Sequence, residues 1–555
     1  TYHRGMVAAA SVAVLAAVLL ALPQEPAPPA ASSGNLLLRG GAVHTGTNRD
    51  WPGPIAARAG RIVAGDRLDP AIDAEAIDLP DGAFVVPGLI DAHGHLKGLG
   101  DALAEVDLVG TASYVEVVEK VLAAAARAPK GAWILGRGWD QNDWPDKAMP
   151  QHGPLSAAVP DHPVWLVRVD GHAGLANAAA MARSGITKDS ATGQGGEIQR
   201  DAAGAPTGVL VDDAMALVVV PPSTDEQLRE RLLAAHDACL RAGLVGVHDA
   251  GVDARTLAAM VGLHKEGKWR LRVHVMLDPR EDLLIARGPW QTDDGVIVVR
   301  AVKAYADGAL GSHGAVLLEP YADRKGWKGL MLRPTPAIAA LAQRCADAGM
   351  QLCMHAIGDA ANRAVLDAYA TVQCEGGLAA RRFRVEHAQI VADGDFARFA
   401  ALGVVPSMQP THLTSDMPWA PGRLGAERTL RSYAWSRFHR LGVVVPFGSD
   451  FPVESVDPRK GLFAAITTRG ERGGGDGSLR RDQKLSREQA LRGFTLHAAH
   501  AMFAERDLGT IEAGKSADFT VFDRDLRVCP EEEILQAKVL MTVVRGRVAW
   551  SAAGR

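Results

Sequence analysis

His93 and His95 stand two residues apart at the end of the apolar run VVPGLIDAHGH. In an extended segment residues i and i+2 point to the same side, so these two imidazoles can grip one ion. Three more residues of ligating type close runs of the same kind: His355 in QLCMHA, His387 in FRVEHA, and Asp450 directly after GVVVPFGS. Imidazole and carboxylate are good ligands for zinc and similar divalent ions. Taken singly, each has an ordinary structural reading as an incidental pair or a hydrogen-bonded core residue. Together, at corresponding points of one repeated architecture, they point to a metal centre. Lys303 is the sixth candidate, in the apolar segment VVRAVKAYA, where a free ammonium is costly. Either it pairs with a carboxylate such as Asp307, or CO₂ carboxylates it and makes it a carboxylate-like bridge between two ions.

These residues need a frame that brings strand ends together. Eight segments read as buried strands: AFVVPGLI (83–90), LVGVHD (244–249), LRVHVML (271–277), VVRAVKAYA (298–306), QLCMHA (351–356), FRVEHA (383–388), GVVPSM (403–408) and GVVVPFGS (442–449). They alternate with Ala/Leu-rich helical stretches, which argues a parallel α/β fold. Eight is the number a (β/α)₈ TIM-type barrel needs, and such barrels place their chemistry at the C-terminal strand ends. A doubly wound sheet also alternates strands and helices, but the polar residues at the strand ends favour the barrel. The count treats residues 97–243 as a large insertion after strand one, with strands of its own in AWILGRGW and PVWLVRV. A final long helix is expected from Ser486, where Ser486-Arg-Glu-Gln489 forms a capping box. Hairpin texture appears in residues 35–83 and returns in 505–555, so both chain ends are expected to build one small β-sandwich-like domain beside the barrel of 84–504.

Composition narrows the function classes. The chain has 555 residues, 47% hydrophobic and 22% charged, which is globular. Sixty basic residues against 64 acidic ones give a net charge of −4 and no electrostatic footprint for nucleic acid. The five cysteines include no CxxC pair, which excludes a disulfide scaffold and a cysteine-based zinc site. Residues 6–22 are an uncharged apolar run between Arg4 and a Pro/Ala/Ser-rich stretch, so residues 1–34 read as a signal peptide or N-terminal anchor with its linker. The expected location is exported: periplasmic, secreted, or anchored through residues 6–22.

At this point the chain resembles the amidohydrolase superfamily, within it the amidohydrolase-3 branch that includes N-substituted formamide deformylases. The resemblance runs from residue 35 to 550. It rests on VVPGLIDAHGH, VKAYADGALGS, HAIGDAA, VEHAQ and GSDFPVES, with GRGWDQNDWP, RVDGHAGLAN and PSMQPTH more specific to the branch. It implies hydrolysis of a non-peptide carbon–nitrogen bond in a small amide, formamide or cyclic amide by metal-activated water. His93, His95, His355, His387 and Asp450 would hold a divalent ion, zinc being expected. Carboxylated Lys303 would bridge two ions, and an unmodified lysine would leave one. Asp450 would take the proton from the water and deliver it to the leaving nitrogen. The insertion is expected to supply part of the substrate pocket. Trp139, Asp140, Asp170, His172, Asp307 and His412 are the candidate substrate contacts. Against that, Trp139 can be core packing, Asp170 and His172 can brace a turn, and Asp307 can fix the loop after Lys303. Ester hydrolysis or deamination at the same site, and a non-enzymatic metal-binding envelope protein, are the competing readings. Monomer and homodimer are both left open.

Overall fold

The computed structural model describes residues 34–51, 53–63, 74–168, 171, 173–191, 196–470 and 480–554. The expected signal or anchor in residues 1–34 falls outside them except for Gly34, and Asp170 and His172 fall outside as well. Among the described residues no helix is long and apolar enough to cross a membrane. The described chain divides into two units, one of Lys97–Ala234 and one holding everything else.

The larger unit is built on seven strands: β1 (Leu89–Gly94), β2 (Leu244–Val252), β3 (Arg272–Leu277), β4 (Ile297–Tyr305), β5 (Gln351–Ala356), β6 (Arg384–His387) and β7 (Val405–Ser407). They pair in chain order, every neighbour parallel, so the sheet curls into a TIM-type barrel. Strands this apolar on both faces suit a sheet with helices outside and packed side chains inside.

The eighth segment, expected over 442–449, closes the barrel without forming a ladder. Pro446 sits in its middle and has no N–H to donate. The segment bonds to β7 through Met408 N to Pro446 O (3.0 Å) and Gly448 N to Met408 O (3.1 Å). It bonds to the β1 end through Ala92 N to Phe447 O (2.9 Å) and Asp450 N to His93 O (2.7 Å). Gly448 is required at this seam, because a Cβ there would lie 2.5 Å from His93 N and 2.7 Å from the Asp91 carboxylate.

The first expected strand, 83–90, is two strands. Phe84–Pro87 pairs with Phe519–Phe522 in the small β-domain, and β1 begins after Gly88. A Cβ on Gly88 would stand 2.5 Å from the Val245 side chain, so glycine permits the crossing from one sheet to the other. The small domain is a sandwich of two sheets. One holds Leu36–Arg39, Ile55–Arg58, Arg61–Val63 and Glu75–Asp78, and the other joins Ala42–Val43 and Phe84–Pro87 to three C-terminal strands. Leu36, Ile55, Val85, Phe519, Val521 and Val543 share its core, so both chain ends are needed to bury it.

The capping box at Ser486 is present, but the long helix is not. Arg487–Gly493 stops and Leu496–Ala501 begins anew. The break frees two carbonyls for the barrel: Gly493 O accepts from Phe447 N at 3.0 Å and Phe494 O from Ile90 N at 2.7 Å.

The unit Lys97–Ala234 carries its own sheet, in which Ile134–Trp139 and Val164–Arg168 are parallel neighbours. Its core gathers Leu108, Val117, Val121, Leu155 and Leu166 around Trp139 and Trp144.

Candidate metal centre

The barrel register brings the candidate ligands to one rim. Tyr305 of β4 lies opposite His355 of β5, and Ala356 lies opposite His387 of β6. His93 approaches His387 with ring centroids 5.0 Å apart, and His355 approaches His387 at 4.6 Å. Two of these residues depart from ordinary strand geometry. His387 and Asp450 hold left-handed backbones, with φ of 73° and 63°. Strict alternation would set His387 on the face opposite Glu386, and the left-handed turn at its own position gives it a different direction. Such conformations cost on the order of 1–3 kcal/mol for a residue with a side chain and gather at functional sites.

Asp91 fixes the loop that carries Asp450. Fully buried, its carboxylate accepts from His93 N (3.0 Å), from Ser449 N (3.1 Å) and from Ser449 Oγ (2.7 Å). Burial, opposed by these bonds, raises its pKa to about 7.

Three imidazoles share one orientation. His93 Nδ1 donates to Glu386 Oε2 at 2.5 Å, His95 Nδ1 to Ala250 O at 2.9 Å, and His387 Nδ1 to Gln409 Oε1 at 2.8 Å. Each bond sets the tautomer that puts the lone pair on Nε2. Two of these lone pairs face one carboxylate oxygen, Asp450 Oδ1, at 3.0 Å from His95 Nε2 and 3.5 Å from His93 Nε2. An acceptor facing an acceptor at that distance needs a cation or a proton between them. Burial, with Lys303 adding to it, lowers His93 to about 4 and His355 to about 3, and burial holds His387 well below 6.5. Neutral imidazoles are metal ligands, so the donor set fits a divalent ion. Burial alone would raise Asp450, but the His95, His93, His387 and His412 imidazoles around it hold it well below the usual carboxylate range.

The buried Nε2 atoms of His355 and His412 have no hydrogen-bond partner. The ligand atoms form two overlapping groups, His93–His95–Asp450 and His387–His412–Asp450, each within 4.8 Å of one another. Lys303 is 1% exposed, and its Nζ lies 3.0 Å from His93 Nε2. Among the described residues no carboxylate comes within ion-pair distance of it, and burial lowers its pKa.

The other candidates divide. His412, on Pro410–Asp416 just after β7, belongs to the rim. Asp307 commits its carboxylate to the backbone. It is fully buried and accepts three backbone N–H groups, from Val316 (2.8 Å), Ile357 (3.0 Å) and Gly358 (2.9 Å). Trp139 likewise is a core residue of its own unit, 1% exposed, stacked on Trp144 and donating to Leu166 O at 2.9 Å. Asp140 pairs with Arg168 at 2.5 Å.

Sequence reasoning passed over the residues that orient the ligands. Glu386 and Arg384 are both fully buried on β6, with Arg384 Nε 2.7 Å from Glu386 Oε1. Arg384 also bonds to Ala92 O (2.7 Å), Ser407 Oγ (2.8 Å) and His248 Nδ1 (2.7 Å). The available signal was charge inside an apolar strand, the one that singled out Lys303. Asp91, inside β1, carried the same signal, and Gln409 gave none.

The sequence profile of the amidohydrolase family matches residues 75–549. The protein LONG AFTER FAR-RED 3 of Arabidopsis thaliana is 32% identical over 548 residues, covering 94% of this chain and 92% of that protein. The N-substituted formamide deformylase of Arthrobacter pascens is 29% identical, covering 87% and 91%. The crystal structure of an uncharacterized metal-dependent hydrolase from Pyrococcus horikoshii superposes with a TM-score of 0.76 at 27% identity, over 90% of this chain and 99% of that one. With a metal-ready rim on a TIM-type barrel, the chain belongs to the amidohydrolase family of metal-dependent hydrolases.

Proposed function

We propose that this chain hydrolyses a non-peptide carbon–nitrogen bond in a small amide, formamide or cyclic amide, with zinc as its ion. The observation that carries this is the convergence of imidazole Nε2 atoms on the Asp450 carboxylate. The mixed nitrogen and carboxylate donor set suits zinc. The relative that cleaves N-substituted formamides supports the choice of bond.

A divalent ion at this rim supplies an acidified water and polarises a carbonyl oxygen at neutral pH. The protein's own residues do the rest. Asp450 stays ionised and accepts a proton at Oδ2, the oxygen turned toward His412, then returns it to the leaving nitrogen. Asp91 and Gly448 hold Asp450 against the His93 backbone. Glu386, Ala250 and Gln409 keep three imidazoles in the ligating tautomer. Lys303 is buried as a poorly stabilised cation. Its neutral amine adds CO₂ and releases a proton, and the resulting carbamate serves as an anionic ligand in place of the ammonium.

The test is a panel of N-substituted formamides, cyclic amides, esters and aminated heterocycles. Turnover of the first two classes is expected. Activity confined to esters or to deamination contradicts the bond assignment, and no activity in a metal-loaded chain favours a non-enzymatic role. The proposal includes export through residues 6–22, and cell fractionation that finds the full chain in the cytoplasm contradicts that part.

A further inference from the structure

Arg300 is a half-buried cation at the other end of the strands from the metal rim. Its neighbour Ala301 lies opposite Gln351, the first residue of β5, so Arg300 stands at the N-terminal edge of the barrel. Its guanidinium carbon sits 4.0 Å from the centre of the Phe503 ring, and that of Arg382 sits 4.6 Å from the same ring. Arg382 lies just before β6, and Arg381 precedes it in the chain. Gln351 ties these segments together, since its side-chain amide donates to Arg382 O at 2.6 Å and to Ala501 O at 3.1 Å.

Positive charge outweighs negative charge here. Glu505 is committed to Arg382, which donates to Oε2 at 2.9 Å and to Oε1 at 2.7 Å. Arg381 directs its Nε to Ala346 O at 3.3 Å. Among the described residues Arg300 Nε is buried without a hydrogen-bond partner, and the charges acting on Arg300, from Arg382 and Arg381, are both positive. Burial and those two neighbours lower its pKa. The face of the Phe503 ring attracts a guanidinium but carries no net charge to balance one. Arg382 and Phe503 also hold left-handed backbones, with φ of 48° and 64°. Such conformations are uncommon for residues with side chains and gather at functional sites.

We propose that Arg300, Arg381 and Arg382 form a binding site for a small oxyanion of the phosphate type at the N-terminal end of the barrel. Guanidinium forks match phosphate oxygens in bidentate geometry. Glu505 balances one of the three cations, and a phosphate group, with about −1.5 to −2 charge at pH 7, balances the other two. Half-burial strengthens that pairing relative to open solvent. The site lies outside the hydrolytic machinery and goes beyond the hydrolase reading. An anion there joins β4 to the chain entering β6 and to the segment after Ala501, so its effect falls on the stability of the barrel, which its N-terminal face serves.

The experiment titrates the metal-loaded full chain with inorganic phosphate by calorimetry, at an ionic strength held constant with sodium chloride. Wild type, Arg300→Gln, Arg300→Lys and Arg381→Gln are compared at matched secondary structure and metal content. Saturable binding is expected in wild type. Arg300→Gln is expected to weaken it about 10–100-fold, with Arg300→Lys in between. Arg381→Gln repeats the test should Arg300→Gln not fold. Melting temperature adds a second readout, because phosphate should raise it in wild type and far less in Arg300→Gln. Equal phosphate affinity in Arg300→Gln and Arg381→Gln overturns the site and assigns the signal to the metal rim. A wild-type chain that binds no phosphate overturns it as well, and either result leaves the hydrolase reading standing.

Discussion

Arg272 at the start of β3 and Lys303 near the end of β4 are cations buried in the same barrel. The Arg272 guanidinium meets Asp518 at 2.5 Å, Ser516 Oγ at 2.7 Å and Gly295 O at 3.3 Å. Burial alone would lower its pKa, but Asp518 raises it. Lys303 has His93 Nε2 at 3.0 Å and the Tyr305 ring at 4.9 Å, and burial wins. The first region ties the barrel to the small β-domain, and its charges are matched within the chain. The second leaves imidazole nitrogens and a carboxylate facing one another. Where buried polar groups are satisfied by the protein itself they hold the fold together. Where they are not, the missing partner is a ligand.

The largest effect is expected at the unsatisfied end. Asp450→Asn removes the proton acceptor and should lower kcat about 10²–10⁴-fold with the far-UV spectrum unchanged. Unchanged turnover would remove Asp450 from the chemistry.

At the satisfied end the change should appear in stability alone. Arg272→Ala leaves Asp518 buried without its partner, which should cost about 3–5 kcal/mol in denaturant unfolding. The double variant Arg272→Met with Asp518→Leu should recover most of that loss, because an apolar pair replaces an ion pair. Neither should alter metal content, and a lost ion would show that the two regions are coupled.

Glu386 lies between the two behaviours, since it is paired with Arg384 and also orients His93. Glu386→Gln should weaken the ion at His93 and His95 about 10–100-fold, read by chelator competition. Equal affinity would make Glu386 a purely structural residue.

The smallest effect concerns His264 and Asp294, 3.2 Å apart beside Arg545 of the small domain. Burial opposes charging both, but their contact raises the imidazole's pKa and lowers the carboxyl's. The raised histidine stabilises fully below about pH 6.5 and loses its contribution as pH rises through its folded pKa. The lowered aspartate contributes above about pH 4 and loses its share as pH falls through its folded pKa. Wild type should therefore exceed Asp294→Asn in stability by up to about 1 kcal/mol between pH 4 and 6.5, with the gap narrowing above that window. A gap that does not vary with pH would rule out the ionic account.

The candidate ligands stand out in the sequence because each ends an apolar strand, where a polar residue contrasts with its neighbours. The barrel was legible for the same reason, through strand spacing. What sequence reading missed depends on register and on local backbone. Nothing in RVEHA says that Glu386 faces His93 while His387 turns left-handed beside it. The eighth strand failed to form a ladder because Pro446 lacks a donor, and the last helix broke because the barrel uses the carbonyls of Gly493 and Phe494. Trp139 and Asp307 stood in motifs beside chemistry, yet packing and backbone bracing account for them.

The most direct test of the central claim is the divalent-ion content of the full chain purified without chelators. The account predicts at least one ion per chain, kept in the Arg272→Met, Asp518→Leu variant and lost when His93 and His95 are both changed to alanine. A chain that binds none, even after zinc or manganese is supplied with bicarbonate, would contradict it.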